Sequence, residues 1–466
     1  MTARAPSAPD NLLAAQARVG PVGARTPASG FPPLSRAYAM LAILVVAYML
    51  ALIDRQLLAL MVGPVRAALG ITDFQISLLQ GFAFAIFYGV LGIPLGRFAD
   101  RTNRKYLIAA GIFVWCLATA ACGLAGSFAT LFMARVWVGI GEATLAPAGY
   151  SLIADSFPPS HSVRASAIFS MGAMLGGGLA LIIGGTALDL AGAVSRYVAG
   201  GAWAPWQLVF IGIGAPGILL SALIVVAVRE PPRREHQVLP LGQGFGYLWQ
   251  MRRYYGPYYA TAALLAMMTF ANLSWLPTHF IRVFEMTPGQ AGLRLGIAMI
   301  LGCFVGSLFG TALFERFQRK GKADAHMRTV LAVSLLAIPP VLGPLLPRSD
   351  MAIVAVFLYF SMQNAYNGAI MAAMQRFTPN ALRATNTALF FLTVNLMGLG
   401  LGTALVAWFS DNIFVGSARS IGESIALVCV VAAGLSAVIA ALTLKRFREP
   451  QVCEPQLALI QIGTLQ

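Results

Sequence analysis

Apolar runs of about 20 residues recur along almost the whole chain, and this recurrence limits what the chain can fold into. A run of that length forms a helix that crosses a hydrocarbon core about 30 Å thick. Of the 466 residues, 58% are apolar and 11% are charged, whereas about a quarter of an ordinary soluble domain is charged. The sequence therefore predicts an all-α integral membrane protein.

Twelve candidate transmembrane helices follow from these runs. They cover residues 37–61, 74–96, 106–126, 129–153, 165–190, 206–228, 257–280, 291–314, 328–346, 351–374, 384–409 and 422–444. The tails and the even-numbered connections hold 24 of the 32 Lys and Arg residues, and the odd-numbered connections hold 6. Because cytoplasmic loops carry the basic excess, both termini are predicted to be cytoplasmic. The compact loops and the Ala- and Gly-rich composition favour a multi-pass protein of a bacterial inner membrane.

Several functional classes are not expected for this sequence. The net charge of +15 follows from the topology, so nucleic-acid binding is not expected. The five cysteines and four histidines are scattered, which predicts neither a metal site nor a disulfide framework. There is no GxxxxGK[ST] phosphate loop and no catalytic cluster, so we expect no cofactor, no ATP coupling and no enzymatic activity.

Two connections in the first half of the chain each match a connection in the second half, which indicates an internal repeat. GRFADRTNRK at 96–105 corresponds to TALFERFQRK at 311–320, after the second and eighth predicted spans. PPSHSVRASAI at 158–168 corresponds to TPNALRATNTA at 378–388, before the fifth and eleventh spans. Two pseudo-symmetric six-helix bundles in parallel orientation are typical of a secondary transporter.

The repeat divides the chain into five segments. Residues 1–35 lack the apolar stretch of a signal peptide and are predicted to form a disordered cytoplasmic tail. The N-terminal bundle is predicted over 36–228 and the C-terminal bundle over 257–448, joined by a basic, proline-bearing cytoplasmic linker at 229–256. Residues 449–466 are predicted to form a second cytoplasmic tail.

The repeated loop also carries a resemblance to a known family. GRFADRTNRK resembles the signature between the second and third helices of the major facilitator superfamily, and LFMARVWVGIGEA resembles that superfamily's fourth-helix motif. With the repeat, the resemblance covers about residues 36–448. Four features are similar to the spinster family: adjacent Asp54 and Arg55, SLLQG at 77–81, VGIGEA at 138–143 and the glycine-rich stretch at 172–185. The fifth span lacks the glycine–proline signature usual in antiporters of the superfamily.

The resemblance implies an alternating-access transporter of amphipathic lipids such as lysophospholipids or sphingoid phosphates. A proton-coupled symporter of a small organic anion is the alternative, because the Asp–Arg pair in the first helix is also similar to such symporters. A membrane scaffold or sensor on a transporter fold is a third reading. A carrier of small polar anions should have charged residues in both halves, and here only the N-terminal half supplies them. Expected partners are the amphipathic substrate, protons and the bilayer, and the chain is expected to be a monomer.

Four charges lie within the predicted spans: Asp54, Arg55, Arg135 and Glu142. At 1.5 Å per residue, Asp54 and Arg135 both lie roughly 26–27 Å above the cytoplasmic side, and Glu142 lies two turns from Arg135. We therefore expect a network of Asp54, Arg135 and Glu142 beside a central cavity. Drawing Arg135 away would favour protonation of a buried carboxylate, which is the minimum apparatus for proton coupling. The alternative is a purely structural salt-bridge network.

Further candidates are predicted for the substrate and for two gates. Arg55 is expected to meet an anionic headgroup or to seal the outer gate. Other substrate or gate residues are predicted to be Phe82, Tyr88, Asn272, Trp275, Asn364, Tyr366 and Asn395. A cytoplasmic gate of weak surface ion pairs is predicted to include Asp100, Arg101, Arg104, Lys105, Asp155, Arg164, Glu315, Arg316, Lys320 and Arg383. Simple anchoring of the topology is the alternative for this last group.

Overall fold

The computed structural model describes residues 31–195, 197, 203–233, 246, 248–378 and 382–448. The two predicted tails, apart from residues 31–35, lie outside these residues, as do residues 234–245 and 247 of the predicted linker. Every regular element in the described ranges is a helix, which confirms the predicted all-α class.

The helices of the N-terminal half follow the predicted spans closely. They are α1 (Leu34–Leu60), α2 (Val62–Leu69), α3 (Asp73–Ser77), α4 (Ala83–Arg101), α5 (Arg104–Gly123), α6 (Phe128–Glu142), α7 (Leu145–Ser156), α8 (Pro159–Val194) and α9 (Pro205–Ala227). A π-helical turn at Leu78–Phe82 joins α3 to α4 without a break. The short α2 lies between the first two predicted spans.

The helices of the C-terminal half are arranged in a similar order. They are α10 (Arg252–Val283), α11 (Pro288–Arg319), α12 (Ala325–Val341), α13 (Ser349–Ala365), α14 (Asn367–Phe377), α15 (Arg383–Val394), α16 (Thr403–Asn412) and α17 (Ser420–Thr443). A π-helical segment at Asn395–Gly402 joins α15 to α16. Short 3₁₀ helices lie at Gly343–Leu345 and Leu444–Arg448.

Ten helical segments of the described residues are long and apolar enough to cross a membrane. The number is eleven if Val62–Leu69 and Asp73–Tyr88, which are bent by 119°, are taken as one span. The predicted tenth span is divided between α13 and α14 at Tyr366. The count of twelve and the cytoplasmic position of both termini stay predictions.

The two halves contact each other mainly through α8 of the N-terminal half and α11 of the C-terminal half. Glycines allow the backbones to approach: a Cβ on Gly292 would overlap the carbonyl oxygen of Leu181, and one on Gly296 would overlap that of Gly178. Small residues at helix contacts give membrane helices this close packing. The glycine-rich fifth span therefore lies at the interface between the halves.

The described hydrogen bonds between the halves lie at one end of the molecule. We call the end that holds Leu34 proximal and the end that holds Leu60 distal. At the distal end, Arg282 of α10 donates to both carboxylate oxygens of Asp73, at 2.8 and 3.0 Å. Thr278 donates to the carbonyl oxygen of Ala59 at 3.1 Å. These contacts join the halves at their distal end.

Candidate functional site

Asp54 and Arg135 form a buried ion pair between α1 and α6. Nη1 of Arg135 lies 3.4 Å from Oδ1 of Asp54, and the side chains are 0% and 2% exposed. The other carboxylate oxygen of Asp54 accepts a hydrogen bond from Thr119 Oγ1 on α5. The pair agrees with the equal depth expected for the two residues. Thr119 was not predicted, although it lies about 22 Å above the start of α5 by helical rise, close to that same depth.

Arg55 and Glu142 form a second ion pair, with 2.7 Å between Nη2 and Oε2. The expectation that Glu142 would join Arg135 is therefore wrong, because the described partner of Glu142 is Arg55. Successive residues lie about 100° apart around a helix. Asp54 thus points toward Arg135 while Arg55 points toward Glu142, and the four charges form two pairs.

Aromatic rings cover the guanidinium group of Arg55. Its Cζ lies 3.9 Å from the ring centroid of Phe84 and 5.2 Å from that of Tyr88, and these two rings stack on each other. Phe84 also packs against Leu399 of the C-terminal half, with Phe270 beside it. The Arg55–Glu142 pair therefore lies next to the boundary between the halves. Phe84 was missed, although it precedes the predicted Tyr88 by one helical turn.

The two ion pairs differ in accessibility. The side chain of Arg55 is 11% exposed and that of Glu142 is 1% exposed, whereas the Asp54–Arg135 pair is almost completely enclosed. Among the described side chains, Nε of Arg55, Oε1 of Glu142, and Nε and Nη2 of Arg135 are buried without a hydrogen-bond partner. Such atoms carry a desolvation cost of about 1–3 kcal/mol each, so a ligand, a proton or water that reaches them is stabilised.

Gln80 is a further buried polar residue that was not predicted individually. It lies on the π-helical turn, and neither its Oε1 nor its Nε2 has a hydrogen-bond partner. The neighbouring Gly81 lies directly against Leu399 and Thr403 of the C-terminal half. Gln80 belongs to the SLLQG motif at 77–81, so the sequence contained a signal that could have identified it as a candidate site residue.

The predicted polar residues of the C-terminal half make hydrogen bonds within that half. Asn272 and Asn395 bond to carbonyl oxygens one turn earlier in their own helices, and Trp275 Nε1 donates to the carbonyl oxygen of Thr403 at 3.0 Å. Asn364 Nδ2 donates to Cys303 and Ser307 of α11. The hydroxyl group of Tyr366 accepts a hydrogen bond from Gln363 at 3.1 Å. Phe82, the predicted aromatic residue on the π-helical turn of the N-terminal half, is exposed. Of these contacts, those of Trp275 and Asn364 join different helices. A role of the predicted residues in substrate binding stays a prediction.

A buried cluster around Arg104 occupies the proximal end of the N-terminal half. Arg104 lies 2.5 Å from Asp155 and 2.7 Å from Glu230, and its side chain is 2% exposed. The predicted weak surface pairing is wrong for Arg104, because its pair with Asp155 is buried. Glu230, at the start of the linker, also accepts from the backbone nitrogen of Lys105 and was not predicted.

The other predicted proximal residues differ from this cluster. Glu315 and Arg319 form an exposed pair on α11 at 2.9 Å, so the position that matches Arg104 in the repeat is not buried. Arg101, Arg164, Arg316 and Lys320 are exposed. The side chains of Asp100 and Arg383 lie outside the described part of the structure. No group of three or more His, Cys, Asp or Glu residues in the described ranges is placed to hold a metal ion.

Comparison with known proteins shows the family. The family model of the Major Facilitator Superfamily matches residues 44–403. The chain is 24% identical over 426 residues to an MFS-type efflux pump of Mycolicibacterium smegmatis, covering 89% of this chain and 94% of that protein. It is 27% identical over 440 residues to protein spinster homolog 1 of Homo sapiens, covering 87% of this chain and 80% of that protein.

The fold has a close counterpart among solved structures. It is similar to the crystal structure of a bacterial homolog of the human lysosomal transporter spinster, in an inward-facing and unoccupied conformation, with a TM-score of 0.77 and 26% identity. The match covers 90% of this chain and 98% of that one. The chain therefore belongs to the Major Facilitator Superfamily and is a spinster-like membrane transporter of a small-molecule substrate, not an enzyme.

Proposed function

We propose that this transporter moves amphipathic anionic lipids, of the lysophospholipid or sphingoid-phosphate type, across the bacterial inner membrane and couples their movement to protons. The observation that carries the proposal is the Arg55–Glu142 ion pair, buried beside the boundary between the two halves. An intramembrane ion pair in that position marks a substrate or ion pathway.

Arg55 supplies the contact for the anionic headgroup. A guanidinium group binds phosphate oxygens through a planar fork of N–H donors. Nε of Arg55 has no hydrogen-bond partner among the described residues, while one face of the group rests on Phe84. A phosphate can thus bond to Arg55 without displacing its aromatic support.

Glu142 takes up the proton when the headgroup binds. A phosphate that engages Arg55 competes with Glu142 for the same cation, 2.7 Å away. A buried carboxylate that loses its cation is too costly to keep charged and is neutralised by a proton. Headgroup binding and protonation of Glu142 therefore favour each other.

Asp54 and Arg135, the enclosed ion pair, hold Arg55 in position for headgroup binding and for protonation of Glu142. Their ion pair, with Thr119 on the second oxygen of Asp54, connects α1, α5 and α6. Because Asp54 is adjacent to Arg55, this connection sets the rotation of α1 and aims Arg55 at Glu142. Asp54 is a second carboxylate that takes a proton if Arg135 moves away.

The neighbouring apolar surface suits a hydrocarbon tail. Phe84, Tyr88, Phe270 and Leu399 form one cluster across the two halves, directly beside Arg55. A small organic anion, the alternative substrate, would use the same ion pair but would gain nothing from this cluster. At the proximal end, we propose that the cluster of Arg104, Asp155 and Glu230 holds the start of the linker against the N-terminal half during alternating access.

The proposal is tested with purified protein in liposomes, using a lysophospholipid, a sphingoid phosphate and a sugar acid as substrates. We expect uptake of the two amphiphiles and a large loss of their transport in Arg55→Gln. Arg294→Gln is the matched control, because Arg294 is a half-exposed arginine of the C-terminal half. Transport of the sugar acid without transport of either amphiphile would instead establish the organic-anion symporter.

A further inference from the structure

Two helix starts at the distal end carry the same capping motif. Before α3, Thr72 Oγ1 accepts from Gln75 N at 3.2 Å, and Gln75 Oε1 accepts from Thr72 N at 3.0 Å. Before α11, Thr287 and Gln290 make the same reciprocal bonds, at 3.2 and 3.3 Å. These capping boxes open the second and eighth predicted spans, which correspond in the repeat.

Each of these helix starts also receives a carboxylate from the opposite half. Asp411 of α16 accepts a hydrogen bond from the backbone nitrogen of Phe74 at 2.9 Å. Asp189 of α8 accepts from the backbone nitrogen of Gly289 and from Thr287 Oγ1, both at 3.1 Å. The helices α8 and α16 lie in the fifth and eleventh predicted spans, which also correspond in the repeat. The two contacts therefore cross between the halves in opposite directions.

The chemistry of both contacts favours a charged acceptor. The first backbone N–H groups of a helix have no partner within the helix, and the helix dipole places partial positive charge there. The α11 helix is 32 residues long, and α3 continues without a break through the π-helical turn into α4. Each aspartate thus binds the positive end of a membrane-length helix that belongs to the other half.

We propose that Asp189 and Asp411 form a reciprocal latch that holds the distal end closed. Separation of the halves at that end must break both contacts, because each one joins a helix of one half to the start of a helix of the other. The Asp73–Arg282 ion pair lies at the same end and adds to the closure. The latch does not depend on the proposed substrate or on proton coupling, since it acts on the equilibrium between distal-closed and distal-open states.

The latch is tested by the alkylation rate of a thiol hidden in the closed state. Thr278 is 3% exposed and bonds to Ala59 across the halves, so Thr278→Cys places a thiol in the distal seam. The full-length protein carrying this change is treated with a membrane-impermeant maleimide. The labelling of the protein that retains Thr278 is subtracted as background. Adding Asp189→Ala or Asp411→Ala is expected to raise the rate about fivefold, since such a contact contributes about 1 kcal/mol. The double change is expected to raise the rate more than either single change.

Two further variants make the result decisive. Asp350→Ala is the control, because Asp350 pairs with Arg294 within the C-terminal half, and its rate should equal that of the parent. Asp189→Asn and Asp411→Asn keep the side-chain shape and remove the charge, so they report on the latch if an alanine variant does not fold. The proposal is overturned if the aspartate variants, including the asparagine forms, are alkylated at the parent rate.

Discussion

At the scale of single residues, the Asp54–Arg135 pair is the most enclosed ion pair among the described residues of the N-terminal half. Both side chains are nearly free of solvent contact, and two nitrogens of Arg135 have no described hydrogen-bond partner. Each charge therefore depends on the other, because an isolated buried charge costs several kcal/mol. The pair holds α1 against α6 at the height of the proposed site.

Removing one member of this pair should cost more than removing both. We expect Arg135→Met to lower the free energy of unfolding by about 3–5 kcal/mol, because Asp54 stays buried without its cation. The double variant Asp54→Leu, Arg135→Met should recover most of this loss. Thermal unfolding in detergent measures the difference, and a double variant as unstable as the single one would contradict the assignment.

The sequence predicted how deep each charged residue of the site lies in the membrane, but not which way its side chain points around the helix. Depth arithmetic brought Asp54 and Arg135 together because helical rise is regular. It could not assign Glu142 to Arg55, because the rotation of each helix depends on how whole helices pack. Buried amides such as Asn272 looked like ligand contacts, yet a carbonyl oxygen in the same helix satisfies this one. The capping motif at Thr72 and Thr287 was present in the sequence and was overlooked.

At the scale of elements, the two matching loops of the repeat have different structures. Arg104 is buried between Asp155 and Glu230, whereas Arg319 is 80% exposed and pairs with Glu315 on its own helix. The sequence match predicted similar local roles. It could not show the difference, because the partners of Arg104 come from α7 and from the linker.

This asymmetry predicts unequal effects of equivalent substitutions. Arg104→Ala should lower the free energy of unfolding by about 3–5 kcal/mol, since it leaves a buried carboxylate unpaired. Arg319→Ala should cost at most about 1 kcal/mol, as expected for an exposed pair. Denaturation curves of the two variants measure both losses. Equal losses in the free energy of unfolding would show that burial of the Arg104 cluster adds nothing to stability.

The α8–α11 contact predicts a similar contrast between glycines. Gly292→Ala should destabilise the protein, because the new Cβ overlaps the carbonyl oxygen of Leu181 and the two helices must separate. Gly212→Ala should have little effect, since nothing lies within 4 Å of that position. Melting temperatures in detergent measure both variants, and equal values would mean that the contact is not tightly packed.

At the scale of the whole molecule, charge and contact are distributed unevenly. Both buried mid-span ion pairs of the described residues belong to the N-terminal half, and the cluster of Phe84, Leu399 and their neighbours joins them to the C-terminal half. The described cross-half hydrogen bonds lie at the distal end. This combination suits a carrier that recognises a headgroup on one side of its site and a tail on the other.

Substrate-driven proton movement in Glu142→Gln tests the central claim most directly. Proteoliposomes containing a pH-sensitive dye are exposed to a lysophospholipid, and binding of the lipid is measured in parallel. Wild-type protein and the exposed control Glu285→Gln should move protons with the lipid, while Glu142→Gln should bind the lipid and move none. If Glu142→Gln moved as many protons per lipid as the wild-type protein, the result would contradict the account.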